Sequence, residues 1–293
     1  MDLLDAWDYF INEVRKFFKE KGYTEVSTPL LLDFPNLDSN VEPVKVEVLE
    51  RGENKVKWLH TSPEYSMKKL LSRYKRDIFQ ITKVFRNNEW GRLHRIEFHM
   101  LEWYAVGCDY LYLIEELKQL LNKLFGFKEF EVITVEEAFK RHFGEGIPQE
   151  ESSMKELLER KGIDFSEDED WETLFYRAFI EVERHLGFNR PTFLINFPER
   201  LCALAKVRNG YAERFELFIK GIELANGWTE ETNPEEVRKR LEREAKKRNL
   251  PLDEDFIKAH EDMPECAGCS LGIDRLFSLF LGKEELVSEF FRA

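Results

Sequence analysis

Cysteine is scarce here. The chain holds four, and only Cys266 and Cys269 lie close enough to form a CxxC pair, which out of context suggests zinc or a redox centre. Cys108 and Cys202 stand far from that pair and from each other, so a four-thiolate site needs unusual long-range convergence. Long apolar runs are also missing, which excludes a membrane-spanning helix, and the opening MDLLDAWDYF lacks the basic start of a secretory signal. A soluble, cytoplasmic protein without membrane contact is expected. No serine- or glycine-rich linker and no low-complexity run divides the sequence, so residues 1–293 read as one mixed domain, although length alone would accommodate two. The most acidic and least patterned stretch, Glu150 to Glu172, reads as a surface insertion carrying a short helix over 154–161. Bases are the minority, 44 against 57 acids with a formal net charge of −13, the wrong sign for general nucleic-acid binding. A local basic surface for tRNA stays possible, but the balance favours a basic protein partner.

What is present concentrates between Phe85 and Tyr104, FRNNEWGRLHRIEFHMLEWY. The pattern predicts a hairpin: a strand over 78–85, a polar turn over 87–95 and a return strand over 96–104. Strand side chains alternate faces, so Phe98, Met100, Glu102 and Tyr104 share one side. Arg86 ends the first strand beside that side, and a guanidinium matches phosphate oxygens bidentately. The loop residues Arg92 and His94 add charge and donors over phosphates, and Phe98 offers a ring for stacking. Together these residues point to a nucleoside triphosphate. Further on, Ile273, Leu276, Phe277 and Phe280 recur at helical spacing, with Gly282 placed to stop the helix. Gly272 at the start of that helix permits close backbone approach to an anion at the helix N-terminus.

These segments resemble the three signature motifs of class II aminoacyl-tRNA synthetases, in their proper order. Phe10 to Pro29 is similar to motif 1, a long helix running into a strand that ends at a proline; the hairpin is similar to motif 2; and Cys266 to Gly282, CAGCSLGIDRLFSLFLG, is similar to motif 3. HTSPEYSMKKLL (60–71) and AERFELFIKGIELANGWTE (212–230) resemble lysyl-tRNA synthetases and, more closely, the paralogues that lysylate elongation factor P, a likeness that extends through MPEC (263–266) to the C-terminal end. The resemblance implies an α+β fold, a class II synthetase-like antiparallel sheet flanked by helices. It also implies a homodimer built by motif 1, although Phe10, Val14, Phe17 and Phe18 would equally suit an intrachain core. The motif 1-like helix begins at the very start of the chain, so no anticodon-binding domain is expected. The CxxC pair, lying inside motif 3, is expected to pack beside the active site.

The same resemblance assigns roles. ATP would be held by Arg86, Asn87, Asn88, Arg92, His94, Arg95, Phe98, Glu223, Leu224, Gly272 and Arg275, with Arg86 on the α-phosphate and Arg275 covering the purine opposite Phe98 and reaching the terminal phosphate. Magnesium would lie on Glu216 and Glu223. Being seven apart, these acids would face opposite sides of a straight strand, so they reach one cleft only if the chain bulges or turns between them, for which Gly221 is the natural place. A lysine-like substrate would have its backbone-type amine near Ser62, Pro63 and Glu64, and its side-chain amine near Tyr104, Asn226 and Glu230. The implied reaction is adenylation of lysine or (R)-β-lysine, then transfer to a lysine of elongation factor P. A truncated synthetase that charges tRNA, and a silent binding module, are the alternatives. Three positions depart from the pattern: Asn88 stands where motif 2 carries glutamate, with Glu89 next; Arg95 replaces the paralogues' asparagine; and Ser270 stands where lysyl-tRNA synthetases have glycine and the paralogues usually alanine.

Overall fold

The computed structural model describes residues 2–283 together with Glu285 and Leu286; the C-terminal end of the likeness noted above, 287–293, lies outside them. Helix α1 (Leu3–Glu20) starts where the Asp2 side chain accepts the Asp5 amide, and it leads to β1 (Thr24–Glu25). A small antiparallel sheet follows, with β2 (Leu31–Leu32), β3 (Val44–Glu50) and β4 (Glu53–Leu59) in the order β2-β4-β3. Helix α2 (Glu64–Tyr74) precedes the hairpin of β5 (Ile78–Phe85) and β6 (Glu97–Val106). Then come α3 (Tyr110–Phe125), β7 (Glu131–Thr134), α4 (Val135–Phe143), α5 (Glu151–Lys161), α6 (Trp171–Glu183) and β8 (Thr192–Pro198). The last third holds β9 (Val207–Arg208), β10 (Tyr211–Ile219), β11 (Ile222–Thr229), α7 (Pro234–Arg248), α8 (Glu254–Ala259), β12 (Cys266–Gly272) and α9 (Ile273–Phe280).

The main sheet has nine strands, running β1-β5-β6-β12-β11-β10-β8-β7 with β9 on β10. Every pairing is antiparallel except the two outermost, β1 with β5 and β7 with β8. This is the helix-flanked, mostly antiparallel sheet that the motifs imply. Alternation gives it two unlike faces. Phe79, Leu101, Trp103, Ala105, Phe215, Leu217, Ala225, Ala267, Cys269 and Leu271 point to one side and join α1, α3 and α9 in a continuous core. Gln80, Glu102, Tyr104, Arg214, Glu216, Asn226, Trp228 and Ser270, of opposite parity, point to the other side.

Phe10, Val14, Phe17 and Phe18 all belong to the intrachain core, which settles the ambiguity of their helical spacing. The same alternation separates the CxxC pair, since residues three apart on a strand face opposite ways. Cys269 enters the core under α1 and α3, whereas Cys266 packs with Met67, Leu71 and Met263. Within the acidic stretch 150–172, α5 turns its charges outward and buries Met154, Leu157 and Leu158 in a second core with α4 and α6.

Phe18 is fully buried between Phe79, Tyr23 and Trp103, with ring centroids 5.1–5.3 Å away. Phe18→Ala is therefore expected to cost about 3–5 kcal/mol in urea denaturation; a loss below about 1 kcal/mol would place Phe18 outside the core.

Candidate active site

Two cavities lie over the polar face of the sheet, and Arg86, Glu223, Asn226 and Ser270 line both. The larger, about 710 Å³, has Ser62, Glu64, Glu102, Tyr104, Trp228 and Glu230 at its inner end and opens between α6 and α7, where Thr173, Ile180 and Arg243 are exposed. Helix α2 begins at Glu64, so Lys68 falls one turn later on the same helix face. Its Nζ lies 2.6 Å from Glu64 Oε1 and 2.6 Å from Glu230 Oε2, with no solvent exposure. Trp228 Nε1 donates to Glu230 Oε2 at 2.8 Å, and Tyr104 Oη donates to Glu102 Oε1 at 2.6 Å. Burial pushes the protonation of all three carboxyls upward: Glu230 to about 7, opposed by Lys68, and Glu64 and Glu102 also above the usual carboxylate range. Burial opposes the charge on Lys68, but Glu230 and Glu64 outweigh it and hold the ammonium. Gly268 makes room for this group, because a Cβ there would stand 2.4 Å from Tyr104 Cε1 and 2.6 Å from Glu230 Oε1.

The smaller cavity, about 270 Å³, is enclosed by Arg86, Glu89, Leu93, His94, Arg95, Phe98, Met100, Glu223, Leu224, Gly272, Asp274 and Arg275. The Arg86 guanidinium lies 5.3 Å over the Phe98 ring, donates through Nε to Thr61 O at 3.4 Å and meets Glu89 at 3.7 Å. Arg275 ties three elements together: Nε donates to Leu93 O at 3.2 Å, Nη1 to Glu223 O at 2.8 Å and Nη2 to His94 Nε2 at 2.8 Å. Burial and the Arg275 charge depress His94 below the usual imidazole range, in keeping with its role as acceptor rather than cation. Gly272 caps α9 without a side-chain bond, and Gly272, Asp274 and Arg275 bring the start of that helix to the cavity wall.

At the shared wall, Lys220 and Gly221 form a two-residue hairpin turn, both with positive φ (52° and 70°). The bend falls where the separation of Glu216 and Glu223 required one, and a bulge completes the effect. Pairing slips between Leu217 and Phe218, so Phe218 faces Glu223 instead of Leu224, and Glu223 acquires the parity of Glu216. Burial lifts Glu216 to about 8, with Arg214 opposing and Glu223 and Glu183 adding to the rise. Glu183, at the end of α6, is pushed up to about 7 by burial and by Glu223. No group of three or more His, Cys, Asp or Glu side chains closes on a single metal position among the described residues. Two carboxylates completed by substrate phosphates nevertheless suit magnesium, which keeps few protein ligands. Asn226 Oδ1, buried at the junction, has no hydrogen-bond partner in the protein.

Most of the residues singled out in the sequence meet here. Arg86, His94, Arg95, Phe98, Glu223, Leu224, Gly272 and Arg275 line the smaller cavity, and Ser62, Glu64, Tyr104, Glu216, Glu223, Asn226, Glu230 and Ser270 the larger. Four do not. Asn87 is held away by Glu42, which accepts from its Nδ2 at 2.9 Å and pairs with its backbone. Asn88 adopts a left-handed conformation (φ 59°) and is exposed, so the turn delivers Glu89 to the cavity in its place. Arg92 lies exposed in the loop, and Pro63 sits outside the cavity lining as the N-cap of α2. Arg95 contributes mainly to the loop itself, donating to the Gly91 and His94 carbonyls and lying 4.8 Å from the Trp90 ring centroid. Sequence reasoning did not assign Lys68, Glu89, Glu102, Glu183 or Arg214 to the site. Glu102 was within reach, since it shares parity with Tyr104; Lys68 was signalled only by its i,i+4 spacing from Glu64.

Known proteins resemble this chain over nearly its whole length. Residues 2–289 match the family model for tRNA synthetases class II (D, K and N). The chain is 37% identical over 290 residues to the elongation factor P–(R)-β-lysine ligase of Photorhabdus laumondii, covering 94% of this chain and 89% of that protein. The ligases of that name from Avibacterium paragallinarum and Proteus mirabilis are 38% and 35% identical over 292 residues, covering 94% of this chain and 90% of each of theirs.

The Glu230 carboxyl titrates higher in the fold than its usual 4.5, so its contribution to stability is complete below 4.5 and is lost as pH rises through about 7. Glu230→Gln removes that dependence. Between pH 5 and pH 8 the stability of the variant relative to the wild type is expected to shift in its favour by up to about 3 kcal/mol in urea denaturation; a difference independent of pH would contradict the burial assigned to Glu230.

Proposed function

The chain belongs to the class II tRNA synthetases of the D, K and N group, and on that premise we propose that it activates lysine or (R)-β-lysine with ATP and transfers the aminoacyl group to a lysine side chain of elongation factor P. The observation that carries this reading is the shared wall of Arg86, Glu223, Asn226 and Ser270, which joins an acid-lined amino-acid cavity to an arginine-lined nucleotide cavity. Substrate chemistry follows from charge. Glu64, Glu102 and Glu230 face an interior where an unpaired carboxylate is costly, and a cationic amine is its natural complement. The names of the relatives supply the acceptor, elongation factor P, and the β-isomer.

In the first step a substrate carboxylate oxygen attacks the α-phosphorus of ATP; an O–P bond forms, the bond to the β-phosphate oxygen breaks, and pyrophosphate leaves. Arg86, at the boundary of the two cavities, neutralises charge developing on the α-phosphate. Phe98 and Arg275 hold the nucleotide, with Arg275 tethered to both the hairpin loop and β11 so that its position is set before substrate arrives. Glu216 and Glu223 would hold magnesium, which screens the phosphate charge. In the second step the acceptor amine attacks the adenylate carbonyl, AMP departs, and the amine gives up a proton. The open side of the larger cavity, between α6 and α7, is where an acceptor side chain presented by a protein would enter.

No helix among the described residues is long and apolar enough to cross a membrane. We place the reaction in the cytoplasm, in a homodimer whose contact includes the outer side of α1, where Leu4 and Tyr9 are 68% and 51% exposed. ATP–pyrophosphate exchange should respond to lysine or (R)-β-lysine and not to neutral amino acids, and Arg86→Ala should lower kcat/KM by about 10²–10³. Absence of exchange with either isomer would overturn the activation step.

A further inference from the structure

Lys68 does not line the amino-acid cavity; it sits behind Glu64 and Glu230, which do, at 2.6 Å from each. A fully buried ion triad seldom repays its desolvation in stability, so its place directly behind a substrate pocket calls for another use. We propose that Lys68 is a positioning residue that fixes the charge of the pocket, keeping Glu64 and Glu230 ionised and thereby selecting substrates that carry two ammonium groups. The proposal rests on the activation of a lysine-type substrate described above.

The groups facing this cation are Glu64 on its own helix, Asp38 from the segment before β3, Glu102 and Tyr104 from β6, Trp228 and Glu230 from β11 and the residue after it, Cys266 from β12, and His260 after α8. His260 is pushed down to about 4 by burial and by Lys68 and adds no charge at neutral pH. The carboxyls grouped about this cation that line the cavity are four, Asp38, Glu64, Glu102 and Glu230, against the one ammonium behind them. Acids outnumber that ammonium, so a substrate with two ammonium groups offsets more of their charge than one with a single ammonium. Without Lys68, Glu64 and Glu230 lose the charge that opposes their protonation, and a cationic substrate must displace protons to bind.

The test is the pH dependence of KM in ATP–pyrophosphate exchange from pH 6 to 9. In the wild type, KM for the lysine isomer that supports exchange should rise below about pH 7, while KM for ATP stays flat. Lys68→Met should move that rise upward by at least about one pH unit, raising the amino-acid KM at pH 7 about tenfold or more with KM for ATP within about twofold; Lys68→Arg should restore the wild-type profile. Lys68→Gln carries the same test if the methionine variant does not fold. Calorimetry at pH 8, in two buffers of different ionisation enthalpy, should register little proton release when lysine binds the wild type and clear release when it binds Lys68→Met, and equal release by the two overturns the proposal. An unmoved profile, or amino-acid and ATP KM rising together, also overturns it. Exchange by the wild type with an unmoved profile in the variants removes only the role of Lys68, whereas no exchange with either isomer removes the activation reading.

Discussion

Burying carboxylates is costly unless a cation meets them, and the inner end of the larger cavity is organised around that constraint. Lys68, reached by one turn of α2 from Glu64, also meets Glu230 just beyond the end of β11. One ammonium thus fastens a roof helix to the sheet. Trp228 takes up the same Glu230 oxygen, Tyr104 bonds Glu102, and Gly268 stays small so that both groups fit. Each detail serves to keep acids in a low-dielectric place, where a charge–charge interaction is stronger than in water.

The sheet makes this possible by separating its two faces. One parity supplies aromatic and aliphatic side chains to a core under α1, α3 and α9; the other supplies polar groups that α2, α6, α7 and α8 cover. Where strict alternation would fail, the backbone departs from it. The bulge in β11 turns Glu223 to the side of Glu216, and the left-handed Asn88 turns Glu89 into the smaller cavity. Both irregularities bring an acid to the wall of the smaller cavity, as expected where function rather than packing sets the backbone.

Much of this was legible in the sequence. The first strand of the hairpin has the expected bounds, the Gly272 helix buries Ile273, Leu276 and Phe277 as its spacing indicates, and the need for a bend near Gly221 followed from two acids seven apart. Other features lay beyond local pattern. A lysine four residues after a glutamate reads as a surface pair, and only the return of the distant Glu230 makes it a buried triad. Glu183 gains significance from α6 packing on β10 through Phe179 and Phe218, a long-range contact without a periodic signature. The apolar side of α5 was masked by the abundance of charge around Met154, Leu157 and Leu158. Asn87, Asn88 and Arg92 share their place in the motif, but the Glu42 pairing holds Asn87, the left-handed backbone turns Asn88 outward, and Arg92 lies exposed in the loop.

A site that makes an aminoacyl-adenylate from a diamino acid and gives it to a protein amine leaves a covalent mark on its acceptor. The most direct measurement is the intact mass of purified elongation factor P after incubation with this protein, ATP and each lysine isomer. A gain of one lysyl unit, requiring ATP and lost with Arg86→Ala, is the expected result. An unchanged mass with both isomers, under conditions in which the same preparation charges tRNA with lysine, would contradict it.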